Sequence, residues 1–495
     1  MPDPTITETT TADQRRRAAI ATLPSNVDAY PGAPAIDVID PFTGESIAQV
    51  AECGAAEVDA ACRTAEAALR RGLPQHERGG ILDRFAHLLV ENAERIATVI
   101  TLETGKAIRD ARGEVGRAAE TTRFAAAEAR TLAGEVVPTE ASAAGAGSIG
   151  VAIRLPIGVV GAITPFNFPL NTVMHKIAPA IAAGCSIVLK PAHQTPLTAL
   201  VIRELLTEAG LPDDWLTVVT DSGTTAGPAL VEHPVPKLIT FTGSTRVGWG
   251  IAAKAFRKRV ALELGSNAPV IVERDADVAD AAAKISRAAY ATAGQSCISV
   301  QRVLVHTSLH EPLLAELKRR AEELVVGDPL DDETDLGPLI APDATRRVKE
   351  WIDEAADSGA TVVAGGDYYG ECLRPTVVDR APLGTRLRES EAFGPVLTVI
   401  PYESFDEAIG VANETVYGLQ AGIFTRDLDL ALRAARELEF GGVLVNDVST
   451  TRLDQQPYGG VNDSGNTREG PAFAVREMTE IRYVSLRPST PGVPR

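Results

Sequence analysis

The chain has 495 residues, of which 45% are hydrophobic and 23% are charged, and its formal net charge is −18. This length exceeds one ordinary hydrophobic core, so two large domains are expected. The acidic balance disfavours nucleic acids and anionic membranes as partners, and it serves mainly solubility.

The cysteines are scattered along the chain, without CxxC or histidine-rich spacing, at positions Cys53, Cys62, Cys185, Cys297 and Cys372. Such an odd, dispersed set predicts neither a disulfide framework nor a metal site. We therefore expect a reducing, cytoplasmic compartment. The apolar stretch 18–23 is too short for the core of a signal peptide, and no later stretch is expected to span a membrane.

Residues 1–24 are polar and rich in threonine, which predicts a disordered tail. Apolar residues then recur at helical spacing in three stretches: 57–71, 78–104 and 106–133. The glycine-rich piece 143–148 interrupts this pattern and leads into an extended stretch, 149–154. A projecting strand there would pair with another subunit, and the alternative is an ordinary hairpin within one subunit.

From residue 157 onward, short apolar runs alternate with helical segments. The predicted strands are 159–164, 186–190, 215–220 and 237–242, and the predicted helices are 171–183, 195–209, a short one near 226, and 244–256. This alternation is typical of βαβ units and predicts a buried parallel sheet with helices on both faces. Open sheets of this kind bind nucleotides at the carboxyl ends of their strands.

Gly243, Ser244 and Gly248 lie where a predicted strand turns into a helix, and free N–H groups at such a helix start favour anions. Lys190 ends another predicted strand and is a candidate to contact a ribose or a phosphate. Plain turn chemistry and a solvated lysine are the alternatives at these positions.

Cys297 lies in the short small-residue loop 293–299 and is the candidate nucleophile. Most free cysteines are only small buried hydrophobic residues, so this assignment depends on other residues. Glu263 interrupts an apolar run, where desolvation should raise its pKa and suit it to general-base work. Asn167 stands between two phenylalanines and two prolines, a rigid frame that can direct an amide at a developing oxyanion.

These residues belong to an ordered series of motifs that resembles the signature series of the aldehyde dehydrogenase superfamily. The motifs span nearly the whole chain: LPIGVV at 155–160, PFNFP at 165–169, LKPA at 189–192, FTGSTRVG at 241–248, LELG at 262–265, GQSC at 294–297, EAFGPV at 391–396 and PYGG at 457–460. Each motif alone is weak, but the ordered set is specific. Residues 445–452 resemble the branch that acts on lactaldehyde, glyceraldehyde 3-phosphate or phosphonoacetaldehyde.

The resemblance implies an α/β protein with the aldehyde dehydrogenase fold. It divides the chain into a Rossmann-like coenzyme-binding domain, an α/β catalytic domain and a protruding β oligomerisation element, whose ranges are 25–140 with 158–265, 266–465, and 141–157 with 479–490. The stretch 481–486 alternates independently like an edge strand. A homodimer or homotetramer is expected.

The resemblance also implies NAD(P)-dependent oxidation of an aldehyde to the acid. Cys297 would attack the carbonyl, and Asn167 with the backbone N–H of Cys297 would hold the oxyanion. After hydride transfer to the nicotinamide, Glu263 would activate the water that hydrolyses the thioester. No metal is required.

The implied coenzyme site consists of Thr164, Pro165, Phe166, Lys190, His193, Gly243, Ser244, Gly248, Leu264, Gly265, Glu391 and Phe393. Lys190 and Glu391 would hold the two riboses. His193 replaces a glutamate that is common in the family, and a partly cationic imidazole would attract a 2′-phosphate. NADP is therefore expected to be accepted at least as well as NAD, unless His193 points to solvent. Ser266, where a glycine is common, would add a side chain near the nicotinamide.

The expected substrate is a small aldehyde that can carry a negative charge. Arg452, together with Arg109 and Arg112, is a candidate partner for a carboxylate or phosphate, and a structural ion pair is the alternative for Arg452. Two other functions remain. A CoA-acylating semialdehyde dehydrogenase characteristically lacks the deacylating glutamate, so Glu263 argues against it. A non-catalytic protein on the same scaffold is disfavoured by the joint presence of Cys297, Glu263 and Asn167.

Overall fold

In the computed structural model, which describes residues 11–487, one parallel sheet carries the predicted βαβ units. Its five strands lie in the order Leu216–Val218, Ile187–Lys190, Val159–Ile163, Pro236–Thr242 and Arg259–Glu263. Its helices are Asn171–Ala183, Pro196–Glu208, Ala226–Glu232 and Thr245–Lys254. The two central strands Val159–Ile163 and Ile187–Lys190 are buried along their whole length, as expected for a sheet covered on both faces.

A second, larger sheet occupies the following part of the chain. Its seven strands lie in the order Thr361–Ala364, Thr376–Asp379, Val396–Tyr402, Val300–His306, Ala268–Val272, Gln420–Phe424 and Gly442–Val445. Only the edge strand Thr361–Ala364 runs antiparallel to its neighbour. The accompanying helices are Val278–Tyr290, His310–Glu323, Pro342–Asp357, Arg386–Glu389, Phe405–Asn413 and Leu428–Glu437, and a small hairpin pairs Tyr368–Tyr369 with Cys372–Leu373.

A layer of helices precedes the first sheet and packs on it. It comprises Ala55–Arg71, Gln75–Glu91, Ala93–Thr104 and Ile108–Thr131, after the hairpin of Ala35–Ile39 with Ser46–Ala51. The predicted helix 78–104 is two helices, because the chain leaves helical geometry at Asn92 (ψ 17°). Within residues 11–487, no helix combines the length and apolar composition needed to cross a membrane.

A three-stranded antiparallel sheet joins two distant parts of the chain. Its strands are Thr479–Leu486, Ile149–Pro156 and Glu135–Val137, in that order. The expected start of this element at residue 141 is therefore wrong, since 135–137 already belong to it. Gly134 allows the early pairing, because a Cβ there would lie 2.1 Å from the Ala152 carbonyl oxygen. Residues 488–490 of the predicted element lie outside the described residues.

The chain crosses back to the first sheet just before its last helix, Pro471–Glu477. The N–H of Leu264 donates to the carbonyl of Ser464 at 2.9 Å, and the N–H of Leu262 donates to the side chain of Asn466 at 2.9 Å. These contacts hold a segment that follows the seven-stranded sheet against the strand that ends in Glu263.

The expected disordered tail over residues 1–24 is wrong for its second half, and residues 1–10 lie outside the described part. A helix spans Ala12–Ile20 and begins with a capping box between Thr11 and Gln14. Arg16 on this helix is buried between Asp40, at 3.1 Å, and Asp328, at 2.8 Å. The composition of the segment could not predict this ordered helix, because Asp40 and Asp328, the partners of Arg16, are distant in sequence.

Replacing Arg16 by alanine leaves the buried Asp40 without its cationic partner. Loss of one member of a buried ion pair costs on the order of 3 kcal/mol, so Arg16→Ala should lower the midpoint of urea-induced unfolding clearly. Arg17→Ala, on the exposed side of the same helix, is the matched control and should leave the midpoint nearly unchanged. Equal midpoints for both variants would contradict a role for this ion-pair cluster in stability.

Candidate active site

One cavity of about 1230 Å³ extends from the carboxyl ends of the five-stranded sheet to the loop that carries Cys297. Cys297, Glu263 and Asn167 all line it. Of the twelve candidate coenzyme residues, all but Gly248 line it as well. Gly248 instead packs beneath the cavity, where a Cβ would lie 2.3 Å from Leu264 Cδ2.

The loop before Cys297 is held in an unusual backbone conformation. Thr292 (φ 54°), Ala293 (φ 53°) and Gly294 (φ 70°) are consecutive residues with positive φ. The N–H of Thr292 donates to the Asp110 carboxylate at 2.9 Å, and a Cβ on Gly294 would lie 2.0 Å from the carbonyl oxygen of residue 394. A glycine is therefore required at 294, and the position of the cysteine loop is set by contacts with two other segments.

Cys297 is partly exposed, whereas the other four cysteines are buried. Its environment disfavours the thiolate, because burial raises the pKa of the Cys297 thiol to about 12. The Tyr458 hydroxyl lies 3.2 Å from Cys297 Sγ, and this contact acts in the opposite direction by lowering the pKa. The sulfur is therefore a protonated thiol at neutral pH.

Asn167 is buried, and its side chain is fixed by the cysteine loop. Asn167 Nδ2 donates to the carbonyl of Gln295 at 2.8 Å. An amide nitrogen has two N–H groups, so one remains for a further acceptor in the cavity. The neighbouring Phe166 packs edge-to-face on Phe393, with ring centroids 5.7 Å apart, which stabilises this wall of the cavity.

Glu263 ends the last strand of the five-stranded sheet and is 3% exposed. Neither carboxyl oxygen has a hydrogen-bond partner within the described residues. Burial, and then the nearby negative charge of Glu469, raise the pKa of Glu263 well above its usual range. The rise expected from the apolar sequence context is thus present in the structure.

A buried cluster of charged side chains lies next to Glu263. Glu469 accepts from Lys176 Nζ at 3.1 Å and from Arg452 Nη2 at 2.9 Å. Burial alone would raise the pKa of Glu469, but these two cations outweigh it and lower the pKa to about 2. Of these residues, the sequence singled out Arg452 but not Lys176 or Glu469. The available signal was Lys176, a charge within the wholly buried helix Asn171–Ala183.

At the other end of the cavity, Lys190 is paired with an acid that the sequence did not single out. Lys190 Nζ lies 2.8 Å from Asp221 Oδ1, and the other Asp221 oxygen accepts the N–H groups of Thr225 and Ala226. His193 lies exposed at the rim, where burial of one side of its ring and then the Lys190 charge lower its pKa. This shift opposes the partly cationic His193 that the sequence predicts.

The walls between these two ends suit a nucleotide. The hydroxyls of Thr164 and Thr242 line the cavity, are buried and have no hydrogen-bond partner within the described residues. Ser244 precedes the helix Thr245–Lys254 without making a side-chain cap, which leaves N–H groups at the helix start for an anion. The chemistry of these donors fits the phosphates and hydroxyls of a dinucleotide.

Glu391 lies beside Gly265, where an added Cβ would be 2.4 Å from a Glu391 carboxyl oxygen. Burial raises the pKa of Glu391 to about 7, although the N–H of Ser266, at 3.0 Å, and Arg347 oppose the shift. The Ser266 side chain is fully buried and does not line the cavity. The side chain that the sequence places near the nicotinamide therefore does not form part of the cavity wall.

The candidate substrate arginines differ in position. Arg452 and Arg109 line the cavity, and Arg109 also pairs with Asp335 at its exposed edge. Arg112 does not line it, because it faces away on the same helix and pairs with Glu94 and Asp332. Arg117 lines the cavity and was missed. Helical spacing could not select it, because Arg112, three residues from Arg109, is also a neighbour of Arg109 on the helix surface.

A dinucleotide-sized cleft that opens onto a cysteine, beside a sheet extension made from two distant strands, is the architecture of the aldehyde dehydrogenases. The model of the aldehyde dehydrogenase family matches residues 30–484, and the chain belongs to this family. It is an NAD(P)-dependent aldehyde dehydrogenase.

Relatives of the chain cover nearly its whole length. The 3-sulfolactaldehyde dehydrogenase of Priestia megaterium is 44% identical over 451 residues, which are 91% of this chain and 94% of that protein. Aldehyde dehydrogenase 21 from Physcomitrella patens, in complex with the reaction product succinate, superposes with a TM-score of 0.89 at 38% identity, covering 92% of this chain and 96% of that one. The glyceraldehyde-3-phosphate dehydrogenase GapN from Methanocaldococcus jannaschii, complexed with NADP, has a TM-score of 0.88 at 36% identity, with 92% and 100% covered.

Proposed function

We propose that this enzyme oxidises a small anionic aldehyde to the carboxylic acid. The observation that carries the proposal is that two arginines, Arg452 and Arg117, line the cavity that contains Cys297. Each is paired with an acid: Arg452 with Glu469 at 2.9 Å and Arg117 with Asp454 at 3.1 Å. Arginines fixed in this way bind carboxylate, sulfonate or phosphate groups well because their geometry is already set.

Only one of the two terminal nitrogens of Arg452 makes a hydrogen bond to the described part of the protein. Nη2 donates to Glu469, whereas Nη1 makes no hydrogen bond within residues 11–487 and is not sealed from solvent. The structural ion pair and the substrate contact are thus compatible in one side chain. The relatives support a charged substrate, since one is named for 3-sulfolactaldehyde and another was solved with succinate.

In the proposed reaction, the Cys297 thiol loses its proton to solvent, and the sulfur attacks the aldehyde carbon to form a thiohemiacetal oxyanion. The free N–H of Asn167 and the backbone N–H of Cys297 hold this oxyanion. A bound nicotinamide would supply the acceptor for the hydride that leaves the former aldehyde carbon, and a thioester on Cys297 would remain. Glu263 in its ionised form then takes a proton from the water that attacks the thioester, and its raised pKa makes it a stronger base than an ordinary carboxylate. Glu263 returns that proton to the departing sulfur, so the carboxylic acid leaves and the Cys297 thiol is regenerated.

A CoA-acylating enzyme is the second candidate, and Glu263 argues against it because a buried carboxyl beside the thioester favours hydrolysis. For the coenzyme, we assign the nicotinamide-side ribose to Glu391, the adenosine-side ribose to Lys190 and the pyrophosphate to the turn at Gly243 and Ser244.

Coenzyme choice follows from the charges around Lys190. Asp221 offsets the charge of Lys190, and the lowered pKa of His193 disfavours a cationic imidazole beside it. Glu52 adds a second carboxylate nearby, since it accepts the N–H of Ser222 at 2.8 Å. Either coenzyme can bind, but this balance disfavours the extra charge of a 2′-phosphate, and NAD is the preferred coenzyme.

The two large sheets support the division into a coenzyme-binding domain and a catalytic domain, with the three-stranded sheet as the oligomerisation element. Large apolar side chains are exposed on that sheet: Val136, Ile149, Ile481, Tyr483 and Leu486. Their exposure supports a homodimer or homotetramer. Five free cysteines support a cytoplasmic location.

The roles of Cys297 and Glu263 separate in a single-turnover experiment. Glu263→Gln should release about one equivalent of reduced coenzyme per site and then stall, because hydride transfer precedes deacylation. Cys297→Ser should show no burst while still binding coenzyme. Rapid-mixing absorbance of the reduced nicotinamide measures both. A missing burst in Glu263→Gln would mean that Glu263 acts before hydride transfer.

Substrate charge is tested with 3-sulfolactaldehyde and lactaldehyde, which differ in the sulfonate. Arg117→Gln and Arg452→Gln should each raise KM for 3-sulfolactaldehyde about tenfold or more, because a charge-assisted hydrogen bond is lost. KM for lactaldehyde should change little. Arg112→Gln, outside the cavity, is the matched control and should change neither. If KM rose equally for both aldehydes, the two arginines would have a structural role and would not bind the sulfonate.

Asp221→Asn removes a charge beside Lys190 and keeps an oxygen for the N–H groups of residues 225 and 226. The ratio of the Kd values for NAD⁺ and NADP⁺ should move toward NADP⁺ by about fivefold or more, since one repulsion is removed. Isothermal titration calorimetry measures both constants without turnover. Asp427→Asn, at the start of the remote helix Leu428–Glu437, is the control. An unchanged ratio would rule out Asp221 as a determinant.

A further inference from the structure

The phenol of Tyr458 has one hydrogen-bond partner within the described residues, and it is the sulfur of Cys297. Tyr458 Oη and Cys297 Sγ are 3.2 Å apart, and Tyr458 is only 3% exposed. A buried hydroxyl normally requires a partner, so this contact accounts for the tyrosine's only polar group. A phenylalanine would fill the same space without the contact.

The ring of Tyr458 is held in place by neighbours from the same part of the chain. The Arg452 guanidinium carbon lies 3.7 Å from the ring centroid, and the backbone N–H of Glu469 donates to the Tyr458 carbonyl at 2.6 Å. Glu469 also binds Arg452 through its carboxylate at 2.9 Å. One residue therefore positions both the tyrosine and the cation above it.

We propose that Tyr458 donates a hydrogen bond to the Cys297 sulfur and thereby stabilises the thiolate that attacks the aldehyde. In the resting thiol either group can be the donor. Once the sulfur has lost its proton, only the phenol can donate, so the contact favours the ionised form. This inference rests on the proposed role of Cys297 as nucleophile.

The charges around the sulfur make such a donor necessary. Burial is the main obstacle to ionisation of Cys297, and the carboxyl groups of Glu391 and Glu263 add to it, whereas Arg452 favours the thiolate. Burial also raises the pKa of Tyr458 well above its usual range, which disfavours ionisation of the phenol. A cation over the ring face withdraws electron density from the hydroxyl and makes it a stronger donor.

The test is alkylation of Cys297 by iodoacetamide between pH 7 and 10, with the modified residue identified by mass spectrometry. Tyr458→Phe should react about three- to tenfold more slowly than the native enzyme at each pH, because a hydrogen bond to the thiolate is lost and higher intrinsic nucleophilicity restores only part of the rate. The acid limb of the kcat/KM profile should move to higher pH. Affinity for NAD⁺ should be unchanged.

Tyr290→Phe is the matched control, because Tyr290 is also buried but donates to the carbonyl of Thr376, away from the sulfur. It should leave the alkylation rate unchanged. Equal rates in Tyr458→Phe and the native enzyme would overturn the inference. If complete alkylation of Cys297 in the native enzyme left activity intact, the proposed function would fail instead.

Should Tyr458→Phe fail to fold, site-specific replacement of Tyr458 by 3,5-difluorotyrosine keeps the shape and strengthens the hydroxyl as a donor. Alkylation of Cys297 should then be faster than in the native enzyme below pH 7, where the fluorinated phenol stays protonated. A slower or equal rate would overturn the inference.

Discussion

The active site depends on one buried carboxylate, Glu469, held between the cations of Lys176 and Arg452. Two cations and one anion share a space with almost no solvent, and such a group persists only if its geometry is closely maintained. Glu263 is buried beside this cluster and has no hydrogen-bond partner within residues 11–487. Burial and then the charge of Glu469 raise the pKa of Glu263, and the two cations act in the opposite direction. Lys176 comes from a helix of the five-stranded sheet, while Arg452 and Glu469 follow the seven-stranded sheet. The cluster therefore joins the two halves of the molecule at the reacting atoms.

Burial in this site works against ionisation of both proposed reacting groups. Burial raises the pKa of Cys297 to about 12 and that of Glu263 well above its usual range. A neutral thiol is protected from adventitious oxidation, because the thiolate is the reactive form. Ionisation must then be assisted locally, and the donors and cations that can assist it, Tyr458 and Arg452, are already in contact with each other.

Ion pairs hold the charged side chains that line the cavity at both ends. Arg452 and Arg117 line the cavity and pair with Glu469 and Asp454, and Glu469 lines it as well. Lys190 also lines the cavity, and Asp221, which does not line it, offsets the lysine charge. Each cation is thus held by an acid from another part of the chain, and the fold decides where these charges meet a ligand.

The sequence by itself determined the elements whose signals are local. Alternating apolar runs and helical spacing predicted the βαβ units to within two residues at each end, because burial on both faces demands such runs. The ordered motifs identified the family, and the apolar context of Glu263 predicted the direction of its pKa shift.

Only the tertiary structure decided which distant groups meet. Arg117 lines the cavity and Arg112 does not, because the orientation of the helix Ile108–Thr131 about its own axis decides which of its side chains face the cavity. Asp221 meets Lys190, Tyr458 meets Cys297, and Arg16 meets Asp40 and Asp328 across sequence separations of 24 to 312 residues. Such contacts leave no periodic trace, because an ion pair or a single hydrogen bond depends on positions that the whole fold sets.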